Sequence, residues 1–173
     1  MNTTRNTTTA DLQSNQQSDQ QSKALAFLRI SVGLLFLIFA EYKLVNTKFI
    51  WGGLAQDLGQ LLNEGSYPFI RPLLKGFILP HAVFCAAVIA ISELLIALSL
   101  LAGVLVRWAS LGGLAMMLLF LFTSNYPGPN SPFWLYFGAS LDNSVLALCF
   151  IAFLISPPDQ RWTLRRPKQI GAI

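Results

Sequence analysis

The sequence has few charged residues, few cysteines and one histidine. Asp, Glu, Lys and Arg make up 12% of its 173 residues, whereas soluble domains carry about a quarter. Cys85 and Cys149 lie alone in separate apolar stretches, with no CxxC pair and no Cys/His cluster. This pattern disfavours thiol redox chemistry and a structural zinc site. No nucleophile–base pair, phosphate-cradling glycine loop or metal motif is present, so we predict no metal site.

The formal net charge of +4 does not indicate a nucleic-acid-binding protein. The basic residues form no single stripe, and their main cluster follows the last apolar stretch: Arg161, Arg165, Arg166 and Lys168. That position is typical of the cytoplasmic flank of a membrane helix. We therefore predict contact with a lipid bilayer and none with nucleic acid.

Apolar residues dominate the chain, at 54% of the sequence with a mean hydropathy of +0.54. This composition predicts an all-α integral membrane protein, folded as a four-helix transmembrane bundle. The first span is predicted at 24–44, long enough to cross about 30 Å of hydrocarbon. The apolar stretch from Pro80 to Phe122 is long enough for two spans, with a tight hairpin at Gly103–Arg107. The fourth span is predicted from about Trp134 to Ile155.

The remaining segments divide the chain into three parts. Residues 1–23 are rich in Asn, Thr, Gln and Ser, and are predicted to be a disordered cytoplasmic tail. Residues 24–156 form the membrane domain, and residues 157–173 form a basic cytoplasmic tail. In the long connection from Val45 to Leu79, four leucines share one helical face, namely Leu54, Leu58, Leu61 and Leu62. This spacing predicts an amphipathic helix that lies on the membrane surface or caps the bundle.

The distribution of Lys and Arg predicts the orientation. With four spans, eight of these residues fall on the side that holds both termini and four fall on the other side. The excess favours cytoplasmic termini.

Glu93 is a carboxylate inside a membrane helix, where a charge costs about 2.5–3.5 kcal/mol on insertion scales. It shares a helical face with small residues, among them Ala86, Ala90 and Ala97, which favours a position against other helices. Arg29 in the first span is the predicted partner. The pair either fixes the helix register, or Glu93 is a protonatable group beside a ligand pocket or a proton path.

A second group of polar residues is predicted near the outer face, at the ends of the spans. A neutral imidazole at the start of the second span or an amide near the start of the fourth would donate a hydrogen bond to a carbonyl ligand. The group consists of Glu41, Lys43, His81, Asp142 and Asn143. Arg107, at the predicted hairpin, is a further ligand-binding candidate and is more typical of an interfacial anchor.

The first span and the Pro80–Arg107 stretch resemble the DoxX family. The similarity covers about residues 25–155, and its matching positions are Arg29, Gly33, Phe36, Lys43, Pro80, Phe84, Glu93, Gly103 and Arg107. The resemblance implies a four-helix bundle in the bacterial cytoplasmic membrane, related to DoxD-like subunits of thiosulfate:quinone oxidoreductase. It implies quinone as a candidate ligand and other redox subunits as partners. The sequence has no cofactor motif, so we expect no covalently bound cofactor, and electrons would have to pass directly between a bound substrate and quinone.

Three functions are consistent with the sequence. The first is a membrane subunit of a quinone-linked redox complex, which would make the chain part of an oxidoreductase. The second is a non-enzymatic scaffold or assembly protein, in which the buried ion pair only specifies packing. The third is a small proton-coupled exporter, which the long connection between the first two spans disfavours.

Overall fold

The structure, a computed structural model, describes residues 3–124, 126–138 and 140–156. All regular secondary structure in those ranges is helical. Among these described residues, three helices are long and apolar enough to cross a membrane, namely α1 (Thr3–Val45, through its apolar second half), α4 (Ala82–Ala102) and α5 (Val106–Thr123). Between α1 and α4 lie α2 (Leu54–Glu64) and α3 (Arg71–Leu73), with the π-helical turns Phe49–Gly53 and Leu74–Ile78.

The fourth apolar segment is divided into two helices. A short α6 (Leu135–Gly138) precedes α7 (Leu141–Ile155), where the sequence predicts one span from about Trp134 to Ile155. Ser140 precedes α7 with a non-helical backbone (φ −123°, ψ 63°) and is buried. At 1.5 Å per residue, α7 alone is about 22 Å long, shorter than the roughly 30 Å hydrocarbon layer.

The N-terminal segment differs from the disorder that its composition predicts. Helix α1 is continuous from Thr3 to Val45, so the polar N-terminal residues belong to the same helix as the apolar half. Its polar part is supported by contacts within the helix, such as the Lys23–Asp19 ion pair and the hydrogen bond that the Ser22 hydroxyl donates to the Ser18 carbonyl. From residue 13 onward, where burial is described, the first buried position is Ala26, close to the predicted start of the membrane domain. The predicted basic tail, 157–173, lies outside the described residues.

The bundle consists of two well-packed helix pairs. Helix α1 packs mainly along α4, and α5 packs mainly along α7, whereas α1 and α7 contact each other little. Gly33 permits the close approach of α1, because a Cβ there would lie 3.1–3.2 Å from atoms of Leu100 and Leu101. The core between the pairs centres on Phe36 and Phe150, whose rings meet edge to face at 5.3 Å. The α1–α7 side is left as the open side of the bundle.

The hairpin between α4 and α5 forms at Gly103, as the sequence predicts. Gly103 ends α4 in the left-handed conformation (φ 67°), which a residue without Cβ adopts at little cost. The Val104 amide donates to the Ser99 carbonyl and the Gly103 amide to the Leu100 carbonyl, the two hydrogen bonds of a Schellman motif. The chain therefore reverses within the three residues before Val106.

The connection between α1 and α4 folds as a small layer with its own apolar core. Leu58 and Leu62 on α2 are buried against Leu74, and Leu61 is half-buried. The leucine face predicted from the sequence therefore packs against the returning segment of the same connection.

An aromatic cluster joins this layer to the loop before α7. The Tyr67 amide donates to the Phe122 carbonyl, and the Tyr67 hydroxyl donates to the Tyr136 carbonyl. Its ring packs against those of Phe122, Tyr126 and Tyr136. Burial, and then the neighbouring Tyr136 and Tyr126 hydroxyls, raise the pKa of Tyr67. The hydroxyl therefore stays protonated and keeps its hydrogen bond at physiological pH.

We expect Leu58→Ser to loosen the connection layer without unfolding the bundle. The substitution removes a buried apolar side chain and leaves a hydroxyl in its place, and large-to-small changes of this kind cost about 2–5 kcal/mol. Limited proteolysis in membranes should then cut between Val45 and Leu79 faster than in the wild type. Gln60→Ser, on the exposed face of the same helix, is the control, and equal protection of both variants would show that the leucine face does not hold the layer.

Candidate functional site

A cleft opens on the side of the bundle where α1 and α7 contact each other little. Its volume is about 400 Å³, within the range of small-molecule sites, roughly 300–1,000 Å³. Helices α1, α4, α5 and α7 all contribute to its lining, and several of the lining side chains on α1 are exposed. The lining residues are Ile38, Phe39, Tyr42, Lys43, Glu93, Met117, Phe120, Asp142, Asn143 and Leu146.

Glu93 forms its ion pair with Lys43, and the predicted pairing with Arg29 is wrong. Oε1 of Glu93 accepts a hydrogen bond from the Lys43 ammonium. Glu93 is 2% exposed, so the pair lies inside the protein at the inner wall of the cleft. The carboxylate that the sequence places inside a membrane helix is thus compensated by a cation from α1.

The depth at which α1 and α4 meet explains the error. Gly33 lies beside Leu100 and Leu101, and the helices run in opposite directions, so Glu93 is nearly level with Ala40. Lys43 is then about 4.5 Å away along the helix axis, which its side chain spans, whereas Arg29 is about 16 Å away. Arg29 is only 1% exposed. It lies at nearly the same depth in the bundle as the α4–α5 hairpin.

The Lys43 ammonium also lies against two aromatic rings. Its Nζ is 5.2 Å from the ring centroid of Phe49 and 5.2 Å from that of Phe120, inside the range of a cation–π contact. Phe49 comes from the π-helical turn after α1, and Phe120 from α5. The carboxylate and the two rings therefore fix the position of the charge, and Phe49 ties the connection layer to the site.

Two polar side chains of α7 also line the cleft. Asp142 is exposed and Asn143 is half-buried, in the first turn of the helix. The structure thus brings four of the predicted site residues to one cleft: Lys43, Glu93, Asp142 and Asn143.

The other predicted site residues lie elsewhere. Glu41 is exposed on α1, and Arg107 is exposed at the start of α5. His81 is exposed, and its Nδ1 donates a hydrogen bond to the Phe77 carbonyl at 3.0 Å. Arg29 lies deeper along α1 toward the hairpin. None of these four lines the cleft.

The cleft has one polar end and apolar walls. The polar end carries one cation and two carboxylates, which disfavours an anionic ligand, together with an amide that both donates and accepts hydrogen bonds. The walls are supplied by residues such as Ile38, Phe39, Met117 and Leu146. The arrangement matches a neutral ligand that has a polar head and an apolar body.

Sequence reasoning missed the aromatic and apolar members of the site. Tyr42, Phe49 and Phe120 look like ordinary membrane aromatics, and only the packing of separate helices shows that they meet. A weak signal exists for Phe49, which follows the cation of α1 by six residues, but nothing in the sequence fixes the turn between them.

Comparison with known proteins gives one match. The family model described as DoxX matches residues 24–125, which include the apolar half of α1, the connection layer, α4 and α5. No curated protein and no solved structure matches the chain.

Proposed function

Because the chain belongs to the DoxX family and is a multi-pass integral membrane protein, we propose that it is the membrane subunit of a quinone-linked redox complex. The cleft between α1 and α7 is its quinone site. The observation that carries this proposal is the lateral cleft, with the Lys43–Glu93 pair at its inner wall.

The position of the cleft supports a ligand that arrives from the bilayer. Ile38, Phe39 and Tyr42 are exposed at its border, on a stretch of α1 that is apolar enough to lie in lipid. A quinone carries a long apolar tail that partitions into the hydrocarbon. Its ring would enter sideways between α1 and α7 while the tail stays in lipid.

The polar end supports a quinone head group. The ring oxygens accept hydrogen bonds as a quinone and donate them as a hydroquinone, and Asn143 has groups of both kinds. Reduction of a quinone takes two electrons and two protons. Glu93 and Lys43 are groups that exchange protons at the buried end, and a partner subunit or its substrate supplies the electrons.

The charge of the cleft disfavours thiosulfate as its occupant. Glu93 and Asp142 outnumber Lys43, and a divalent anion would lie close to two carboxylates. If thiosulfate is the electron donor, its binding site lies on a partner subunit.

We place the protein in the bacterial cytoplasmic membrane with both termini in the cytoplasm, following the excess of Lys and Arg on that side. Helix α7 is the fourth span in this arrangement, with α6 and the flanking loop in the interfacial region. The cleft then lies in the outer half of the bilayer.

A scaffold function is the second candidate. Lys43 and Glu93 join α1 to α4, the most extensively packed pair of helices in the described part of the chain. In a scaffold, this pair would specify helix packing and the cleft would hold only lipid.

We expect the full chain, purified from membranes in mild detergent, to retain quinone and to co-purify with redox subunits. The double variant Lys43→Met/Glu93→Leu removes the charged groups of the cleft and should reduce retained ligand, counted as quinone plus hydroquinone, about tenfold or more, since a hydrogen bond to a charged group contributes roughly 1.5–3 kcal/mol. Arg107→Met, outside the cleft, should retain it. Equal quinone in all three proteins, or none in the wild type, would favour the scaffold.

A further inference from the structure

The Glu93 carboxylate has one oxygen in the ion pair and a second that lacks a hydrogen-bond donor among the described residues. Oε1 receives the Lys43 ammonium, whereas Oε2 is buried and has no hydrogen-bond partner among the described residues. A buried carboxylate oxygen without a donor is destabilising. Glu93 lines the cleft, but Oε2 itself is covered, so a ligand donor reaches it only when the lining side chains move aside.

The surroundings of Lys43 restrict what this ligand can be. The ammonium contacts Glu93 and lies against the rings of Phe49 and Phe120. The ammonium and the carboxylate form an ion pair, in which Oε1 accepts from Lys43 and Oε2 is the second carboxylate oxygen. A charged carboxylate only accepts hydrogen bonds, so the ligand group that meets Oε2 must be a donor.

We infer that the cleft binds the reduced form of its ligand, a lipophilic hydroquinone, whose hydroxyl donates a hydrogen bond to Oε2 of Glu93. The inference rests on the proposed quinone site and assigns its preferred redox state. An oxidised quinone has only acceptor oxygens at the ring, and one of them would face the carboxylate oxygen without a hydrogen between them. The hydroquinone is neutral, and its hydroxyl completes the hydrogen bonding of the buried carboxylate.

A preference for the reduced form has a measurable consequence for the ligand. Each tenfold excess in affinity for the hydroquinone raises the two-electron reduction potential of the bound couple by about 30 mV. The bound quinone is therefore a better electron acceptor than the free quinone.

The test compares three ligands that differ only at the ring oxygens. A short-chain benzoquinone, its hydroquinone kept reduced without oxygen, and the dimethyl ether of that hydroquinone are titrated into the full chain in detergent after its own quinone has been removed. We expect the hydroquinone to bind about tenfold tighter than the other two, the difference that one hydrogen bond to a charged group gives. The dimethyl ether keeps the shape and loses the donor.

The variant Glu93→Gln should reverse the preference. Its amide oxygen accepts from Lys43, and its NH₂ group then takes the place of Oε2 and donates, so the quinone becomes the tighter ligand. Glu41→Gln, at an exposed carboxylate of α1 outside the cleft, is the matched control and should keep the preference for the hydroquinone. A merely structural role of Glu93 would not exchange the order of two ligands.

The outcomes separate this inference from the function on which it rests. If quinone and hydroquinone bind the wild type equally, or the quinone binds tighter, the inference is overturned and the quinone site stands. If neither form binds, the proposed function fails and the inference with it. Because the ligand comparison uses the wild type, the test holds even if Glu93→Gln does not fold.

Discussion

Lys43→Met and Glu93→Leu should each destabilise the protein in detergent by about 3–5 kcal/mol, while the double variant recovers much of the loss. Each single change leaves the other charge buried without its partner, which is the costly state of a buried pair. Removing both leaves two apolar side chains in an apolar bundle. Equilibrium unfolding in mixed micelles of increasing denaturing detergent measures all three free energies of unfolding.

Arg29→Met provides the control for the partner assignment. Arg29 is about 16 Å from the level of Glu93 along the helix axis, so its substitution should be additive with Glu93→Leu. Distant sites add to within about 0.3–0.5 kcal/mol. Additivity of Lys43→Met with Glu93→Leu, or strong coupling between Arg29→Met and Glu93→Leu, would contradict the ion pair described here.

Gly113→Ala should be among the most damaging single-methyl additions in the bundle. A Cβ at this position would lie 2.3–2.6 Å from ring atoms of Phe150, which is 0% exposed and packed against Phe36 and Phe153. The ring has no space to move into without displacing its neighbours. Overpacking of this kind costs about 1–3 kcal/mol, occasionally more, and should appear as a lower melting temperature in detergent.

The neighbouring glycine supplies a matched control. A Cβ on Gly112 would meet only Ile96, at 3.9 Å, an ordinary van der Waals distance, so Gly112→Ala should leave the melting temperature nearly unchanged. Phe150→Leu should restore part of the stability of Gly113→Ala, because the smaller side chain makes room for the methyl group. Equal melting temperatures for the two alanine variants would mean that α5 and α7 do not pack as closely as the structure has them.

Local features of the fold follow well from the sequence. Gly103 within a long apolar stretch is enough to predict the α4–α5 hairpin, because a left-handed residue is needed there and glycine adopts it easily. The leucines of α2 predict a buried face, because their spacing leaves no other way to cover them. Both features depend on residues that are near each other in the chain.

The fourth apolar segment and the N-terminal segment are predicted less well. Composition does not show that the backbone departs from the helix at Ser140, because the glycine two residues earlier, Gly138, is by itself a weak signal in an apolar helical stretch. In the N-terminal segment, a helix that is already formed over its apolar part extends into the polar residues with no further nucleation, and composition does not register this continuation.

The site depends on the relative depth of two helices, which no local pattern encodes. Both Arg29 and Lys43 are cations on α1, and each satisfies the requirement for a partner of Glu93. The choice between them is made by the contact of Gly33 with Leu100 and Leu101, which sets the register of α1 on α4. The long connection between these helices imposes no register of its own, so the sequence leaves the depth open.

Photoaffinity labelling tests the central claim, the quinone site between α1 and α7, most directly. A short-chain azidoquinone is photolysed with the full chain in its membrane, and the labelled peptides are identified by mass spectrometry. We predict labelling on the α1 segment that contains Tyr42 and on the α7 segment that contains Asn143, abolished by excess unlabelled quinone. Labelling that resists competition, or that falls on exposed residues away from the cleft such as Phe84 and Trp108, would contradict the claim.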